Sequence, residues 1–164
     1  MTDATRVHFY PPDELFERSA KIFAQEKQFL HSLLGDLEIQ HVGSSAVPGA
    51  WGKYDVDIQI RVPQEKFNEV MKKLIPVLSP KHVAIWDDRF GLFSEQSGTL
   101  IDIDYMVTVI GDYRDDYYKM RDYFINSPVA LDEYNKLKLK FGGKPYDEYR
   151  IAKKEFMKNH GGQW

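Results

Sequence analysis

Two stretches of strict alternation constrain the fold of this chain more than any other feature. In residues 54–62 (YDVDIQIRV), Val56, Ile58, Ile60 and Val62 share one face, and Asp55, Asp57, Gln59 and Arg61 share the other. This is the period of a β-strand, in which successive side chains point to opposite sides. Residues 99–107 (TLIDIDYMV) repeat the pattern, with Ile101, Ile103, Tyr105 and Val107 set against Asp102, Asp104 and Met106. Each strand therefore carries an Asp-x-Asp pair opposite its apolar face. At a rise of about 3.3 Å per residue, the paired carboxylates start about 6.6 Å apart. Such groups converge on one or two hard cations, which take oxygen ligands and share them with substrate phosphates. Left without a cation they repel, and at least one pKa should rise. The plain alternative is a polar face that meets water, as in many antiparallel sheets.

The rest of the chain supplies the elements around these strands. Pro11-Pro12-Asp13 reads as a stop followed by a helix start, with Asp13 as N-cap. Leu15, Phe16, Ser19, Ile22, Phe23, Phe29, Leu30, Leu33 and Leu34 keep helical spacing until Gly35. Residues 37–42 read as a short strand, and a loop runs from Gly43 to Lys53. Pro63 opens a helix whose stripe is Phe67, Val70, Met71 and Leu74. Residues 82–87 and 90–95 read as two short strands. After Gly111 the pattern turns helical, with helices expected near 112–125, 128–141 and 146–159. The stripe Tyr113, Tyr117, Met120 and Phe124 is expected in the core. The sum is an α+β chain: a mixed sheet covered by helices, with a helical C-terminal part, in one domain spanning 1–164.

Bulk properties remove several classes of function. The 164 residues suit a single core, and 43% hydrophobic with 29% charged residues is an ordinary globular composition. A net charge of −3 gives no global basic field for nucleic acid. No cysteine is present, so thiolate catalysis, disulfides and Cys-ligated zinc are excluded. Neither a signal-peptide core near the start nor a membrane-length apolar run is visible, and a cytoplasmic location is expected.

The Asp strand is preceded by Val42-Gly43-Ser44. Glycine lets a backbone approach a phosphate closely, and a serine hydroxyl with nearby N–H groups can hold phosphate oxygens. Ten residues separate Ser44 from Asp55-Val56-Asp57-Ile58. This spacing resembles the defining pattern of the nucleotidyltransferase superfamily, in which a third carboxylate stands on a later strand. Asp102 or Asp104 fits that place. A narrower resemblance covers most of the chain. His41-Val42-Gly43-Ser44-Ser45-Ala46-Val47-Pro48-Gly49 looks like the signature of the GrpB (UPF0157) branch of that superfamily. Lys53 before the strand, Arg121-Asp122-Tyr123, Tyr134 with Leu137 and Lys138, and Tyr149 with Lys153 and Phe156 match later family segments in order.

Two departures stand out. The family usually reads Pro-Ile-Ile-Asp where this chain has Tyr54-Asp55-Val56-Asp57, so Asp55 is an addition. A family His-x-His segment is replaced by Asp102-Ile103-Asp104. Hard anionic oxygens there favour Mg²⁺ or Mn²⁺ over softer metals.

The resemblance implies a metal-dependent transfer of a nucleoside monophosphate from an NTP to a hydroxyl acceptor. Asp55, Asp57, Asp102 and Asp104 are the expected metal and catalytic set. Gly43, Ser44, Ser45, His41, Lys53, Arg121, Lys138 and Lys153 are the expected nucleotide-binding set. Trp51 is a candidate base-stacking residue or a loop anchor. Two other readings use the same residues: a nucleotide- or metabolite-binding module without catalysis, and a protein-docking module that presents the Asp face.

Overall fold

A computed structural model describes residues 6–98, 101–162 and 164. Five strands form one mixed sheet in the order β1-β2-β5-β4-β3. They are β1 (Glu38–Val42), β2 (Asp55–Val62), β3 (Ser79–Pro80), β4 (Phe90–Gln96) and β5 (Asp102–Val109). Helices α1 (Pro12–Leu34), α2 (Phe67–Leu74), α3 (Tyr117–Asn126), α4 (Pro128–Phe141) and α5 (Tyr146–His160) cover it. The expected α+β architecture and helical C-terminal part are therefore both present. None of the described helices is long and apolar enough to cross a membrane.

The two alternating stretches are the centre of the sheet. β2 and β5 run parallel, with Asp55 opposite Asp102 and Asp57 opposite Asp104. Val56, Ile58, Ile60 and Val62 are fully buried on the apolar face. They join Ile103, Tyr105 and Val107 of β5 and Leu30 of α1 in one core. Phe67, Val70, Met71 and Leu74 of α2 complete it, so the stripe read from the sequence is the face that packs. Thr99 and Leu100, the first two residues of the expected strand 99–107, lie outside the described residues.

Five expectations are corrected. Residues 82–87 are not a strand: His82 adopts a left-handed conformation and Val83–Ile85 form a 3-10 turn. Val83 and Ile85 remain more than half exposed, so no neighbouring surface rewards an extended conformation there. β4 pairs instead with the two residues Ser79 and Pro80. Asp13 is not the N-cap of α1. Pro11 holds that position with Pro12 following, and Asp13 lies in the first turn, where a negative charge suits the helix dipole.

The helix expected from 112 starts at Tyr117. The preceding turn is wrapped around buried Asp115, which accepts the Gly111 N–H at 3.0 Å and two hydrogen bonds from the Arg61 guanidinium at 2.7 and 2.6 Å. Because that segment is a turn, Tyr113 leaves the expected stripe and is 82% exposed, whereas Phe124 is buried. Gln59, read as part of a polar face, is also fully buried. It donates to Thr108 and Asp115 at 3.0 Å each and accepts the Tyr118 N–H at 3.2 Å, tying α3 to the sheet.

Candidate active site cleft

One face of each of helices α3–α5, the 43–53 loop and the Asp-bearing ends of β2 and β5 enclose a cleft of about 250 Å³. The loop is fixed to α4 at several points. Val47 and Ala50 pack on Phe124, Ala130 and Tyr134. The Trp51 N–H donates to Asn135 at 2.9 Å, and Asn135 donates to the Gly49 carbonyl at 2.9 Å. Trp51 thus serves as a loop anchor and does not line the cleft.

Gly43 is required where it stands. Its φ is +73°, a region that favours glycine, and a Cβ built there would overlap the Asp57 carboxylate. The turn therefore lies directly against the second Asp of β2. Asp55, Asp57 and Asp104 line the cleft together with Gly43, Ser44, Lys53, Arg121, Lys138 and Lys153. Asp102 does not: it is exposed at the start of β5, where Gln96 reaches it at 3.4 Å. Of the two candidates for a third carboxylate, Asp104 is the one that shares the cleft.

The charges are partly paired. Lys53 lies 3.0 Å from Asp55. Burial disfavours its charge, but Asp55, Tyr146 and Asp57 together outweigh this and hold Lys53 above the usual lysine range. Lys81 donates to both oxygens of Asp104 at 2.8 Å. Asp57 is raised to about 7, first by burial and then by Asp55 and Asp104, with Lys153 and Lys53 opposing. The repulsion expected of clustered carboxylates is thus concentrated on the most enclosed member.

The basic residues differ in their freedom. Arg121 bonds the Gln40 side chain at 2.8 Å and the His41 carbonyl at 2.9 Å, and pairs with Asp122 at 2.8 Å. Lys138 is buried and donates to Ser44 Oγ at 2.7 Å and to the Trp51 carbonyl. Among the described residues Lys153 has neither a hydrogen-bond nor an ion-pair partner. His41 and Ser45, expected to bind nucleotide, are absent from the cleft wall. Their side chains bond each other at 3.1 Å, and His41 stacks on Phe23 of α1. Burial, with Arg121 adding to it, lowers the His41 pKa to about 4, so the imidazole is a neutral structural group at pH 7.

Sequence reading missed Lys81, which reaches Asp104 from the segment after β3, and Phe9 and Tyr146, which form an aromatic wall with Tyr134 and Tyr149, named there only as matches to family segments. Phe9 belongs to an N-terminal strap. Val7 pairs with residues 143 and 144, Tyr10 pairs with Gly52, and the Phe9 ring meets Tyr149 edge-on at 4.9 Å. No local pattern announces these contacts, because each joins distant parts of the chain.

In donor chemistry the carboxylates of Asp55, Asp57 and Asp104 suit a hard cation, and a cation beside Asp57 would relieve the crowding on it. Among the described residues, no three His, Cys, Asp or Glu side chains are already gathered closely enough to hold a metal ion.

A UPF0157 protein of Vibrio cholerae serotype O1 is 26% identical over 158 residues, covering 96% of this chain and 83% of the relative. The crystal structure of the conserved protein GrpB from Enterococcus faecalis superposes with a TM-score of 0.57 at 17% identity, covering 87% of this chain and 80% of that one. The Cid1 poly(U) polymerase in its MgGTP-bound structure superposes with a TM-score of 0.52 at 12% identity, covering 75% of this chain and 41% of that one. These likenesses show the nucleotidyltransferase fold. The family described as GrpB protein matches residues 7–162, and the chain belongs to that family.

Proposed function

We propose that this chain is a nucleotidyltransferase that uses Mg²⁺ or Mn²⁺ to move a nucleoside monophosphate from an NTP to a hydroxyl acceptor. The observation that carries the reading is the meeting of Gly43-Ser44 with Asp57 and Asp104, which are partners on adjacent parallel strands. The acceptor oxygen would bond to the α-phosphorus as pyrophosphate leaves. Gly43 and Ser44 would hold phosphate oxygens, with Lys153 as the unpaired cation beside them. Asp55, Asp57 and Asp104 would hold the cation, and Asp104 would take the acceptor's proton. Bound cations would neutralise the charge that develops on the phosphate oxygens. Positioning and electrostatics are what the fold contributes.

One observation favours a second reading, a nucleotide- or metabolite-binding module without catalysis. Lys53 and Lys81 already neutralise two of the three cleft carboxylates. A thermal-shift titration separates the readings. Mg²⁺ and Mn²⁺ are added with and without each of the four NTPs, to the wild type and to the double variant Asp55→Asn, Asp57→Asn. A ligand at 100 times its Kd stabilises by about 2.7 kcal/mol. Transferase chemistry requires a metal-dependent NTP shift that disappears in the variant. An NTP shift that ignores metal and survives in the variant supports the binding module.

A further inference from the structure

Lys138 is the basic side chain of the cleft to which the proposed reaction gives no role. It is 1% exposed. Its Nζ lies 2.7 Å from Ser44 Oγ, against the Trp51 carbonyl and 3.9 Å from the centre of the Tyr134 ring. None of these is an anion. The cleft carboxylates do not pair with it, since Lys53 takes Asp55 and Lys81 takes Asp104. The groups that bear on it electrostatically are Lys153 of α5, Lys53 of the loop and Asp55 of β2. Tyr134 on its own helix and Tyr149 on α5 are the titratable hydroxyls nearby.

Holding an ammonium out of water without a counter-ion costs several kcal/mol by order of magnitude, and such groups shed the charge instead. The hydrogen bonds suit a neutral amine. As a neutral amine Lys138 would keep both contacts: one N–H donates to the Trp51 carbonyl, and with the Ser44 hydroxyl rotated its lone pair accepts the Ser44 O–H in place of the donation an ammonium makes. Electrostatics agree: burial and Lys153 lower Lys138 to about 7, with Asp55 only partly opposing them.

We propose that the unliganded cleft holds Lys138 as a neutral amine, and that a phosphate-class oxyanion is bound jointly by Ser44, Lys138 and Lys153 with uptake of one proton from solvent by Lys138. On binding, the Ser44 hydroxyl turns from the amine to the oxyanion. The amine nitrogen takes a proton and becomes the ammonium that the arriving negative charge requires. The charge of the subsite thus appears only with its ligand. The idea rests on reading the Gly43-Ser44 turn as the phosphate end of the cleft, and it adds a proton-linked affinity to that reading. By linkage, affinity weakens about tenfold per pH unit between the midpoint of the free amine and that of the bound one.

The test uses the full chain with ¹³C at the lysine ε-carbons, free of metal, with tripolyphosphate as the probe. NMR follows each lysine through a pH titration with and without the probe. Lys138 is assigned by through-bond connectivity, so the test does not depend on a variant that could misfold. The expected result is one lysine, Lys138, titrating far below the others in the free chain and moving up by more than one unit with tripolyphosphate. Lys153→Gln should raise the midpoint of free Lys138 and weaken the probe. Lys138 titrating with the bulk lysines at about 10.4 in the free chain, or a midpoint unmoved at saturation, overturns the proposal. So does failure of tripolyphosphate to bind. If the midpoint moves but no NTP with metal stabilises the chain, the oxyanion subsite stands and the transferase reading falls. If NTP and metal bind while Lys138 stays unmoved, this proposal falls alone.

Discussion

Gly43 and Asp57 are in direct contact: the glycine follows Val42, the strand partner of Asp57, and the position of its absent Cβ is filled by the Asp57 carboxylate. The Gly-Ser turn and the Asp strand are thus one interlocked unit. Gly43→Ala should cost about 1–3 kcal/mol from the positive φ alone, with a further loss from overlap. In an Asp57→Ala background the overlap is gone and only the backbone cost remains. Urea denaturation of the two single variants and the double variant should therefore show a smaller penalty for Gly43→Ala when Asp57 is absent.

Asp57 also makes the stability of the metal-free chain depend on pH. An unfolded chain releases this proton near the ordinary aspartate value of about 3.9, whereas the folded chain keeps it to about 7. Between those values the folded state binds more protons, so stability falls as pH rises through the window. Asp57→Asn should flatten that slope and stabilise the metal-free chain at pH 7.5 by at least about 1.4 kcal/mol, the worth of one pKa unit. Denaturation at pH 5 and pH 7.5, in chelator, measures both effects.

The Arg61–Asp115 pair should prove structural. Asp115 is 5% exposed, and Arg61, Gly111, Gln59 and Thr108 all converge on it. Removing Asp115 leaves Arg61 with Glu38 as its remaining acidic partner and strands the Gly111 N–H, which should cost about 3 kcal/mol, the lower end of the range for a broken buried pair. Asp115→Ala should lose that much in denaturant titrations. Because this network holds the start of α3, backbone amides of Tyr117 and Tyr118 should also lose hydrogen-exchange protection more than those of β2.

How far the chain could be read from its sequence follows from the range of each interaction. β2, β5 and α2 were legible because burial imposes a period on every residue: Val56 to Val62 and Phe67 to Leu74 are where the pattern puts them. The Gly43-Ser44 turn and Asp57 were legible as a motif because they are close in sequence and in space. Residues 82–87 misled because Val83 and Ile85 look like strand residues, while nothing in the local sequence says that no neighbour covers them. Tyr113 misled for a similar reason, since the helical period was extended through a turn whose cause is Asp115. The bond from His41 to Ser45 and the reach of Lys81 to Asp104 depend on the tertiary arrangement, and composition carries no trace of it.

Lys81 gives the last prediction, and it bears on how the cleft admits a cation. Its Nζ holds both oxygens of Asp104, so a cation that uses Asp104 must displace it. The pair is partly exposed, with Lys81 at 34% and Asp104 at 22%, so its worth lies in the exposed range of about 0.2–1 kcal/mol. Lys81→Gln should therefore tighten Mn²⁺ binding by about two- to fivefold. Asp104→Asn should abolish the tight site. Asp102→Asn should leave it unchanged, because Asp102 is exposed at the start of β5 and does not line the cleft. Electron paramagnetic resonance of free Mn²⁺ against protein concentration reads all three. If Asp102→Asn weakened the metal as much as Asp104→Asn, the carboxylate set would have to be redrawn around the exposed end of β5. If Lys81→Gln left affinity unaltered, Asp104 would not be a ligand and the lysine pair would be its resting partner throughout.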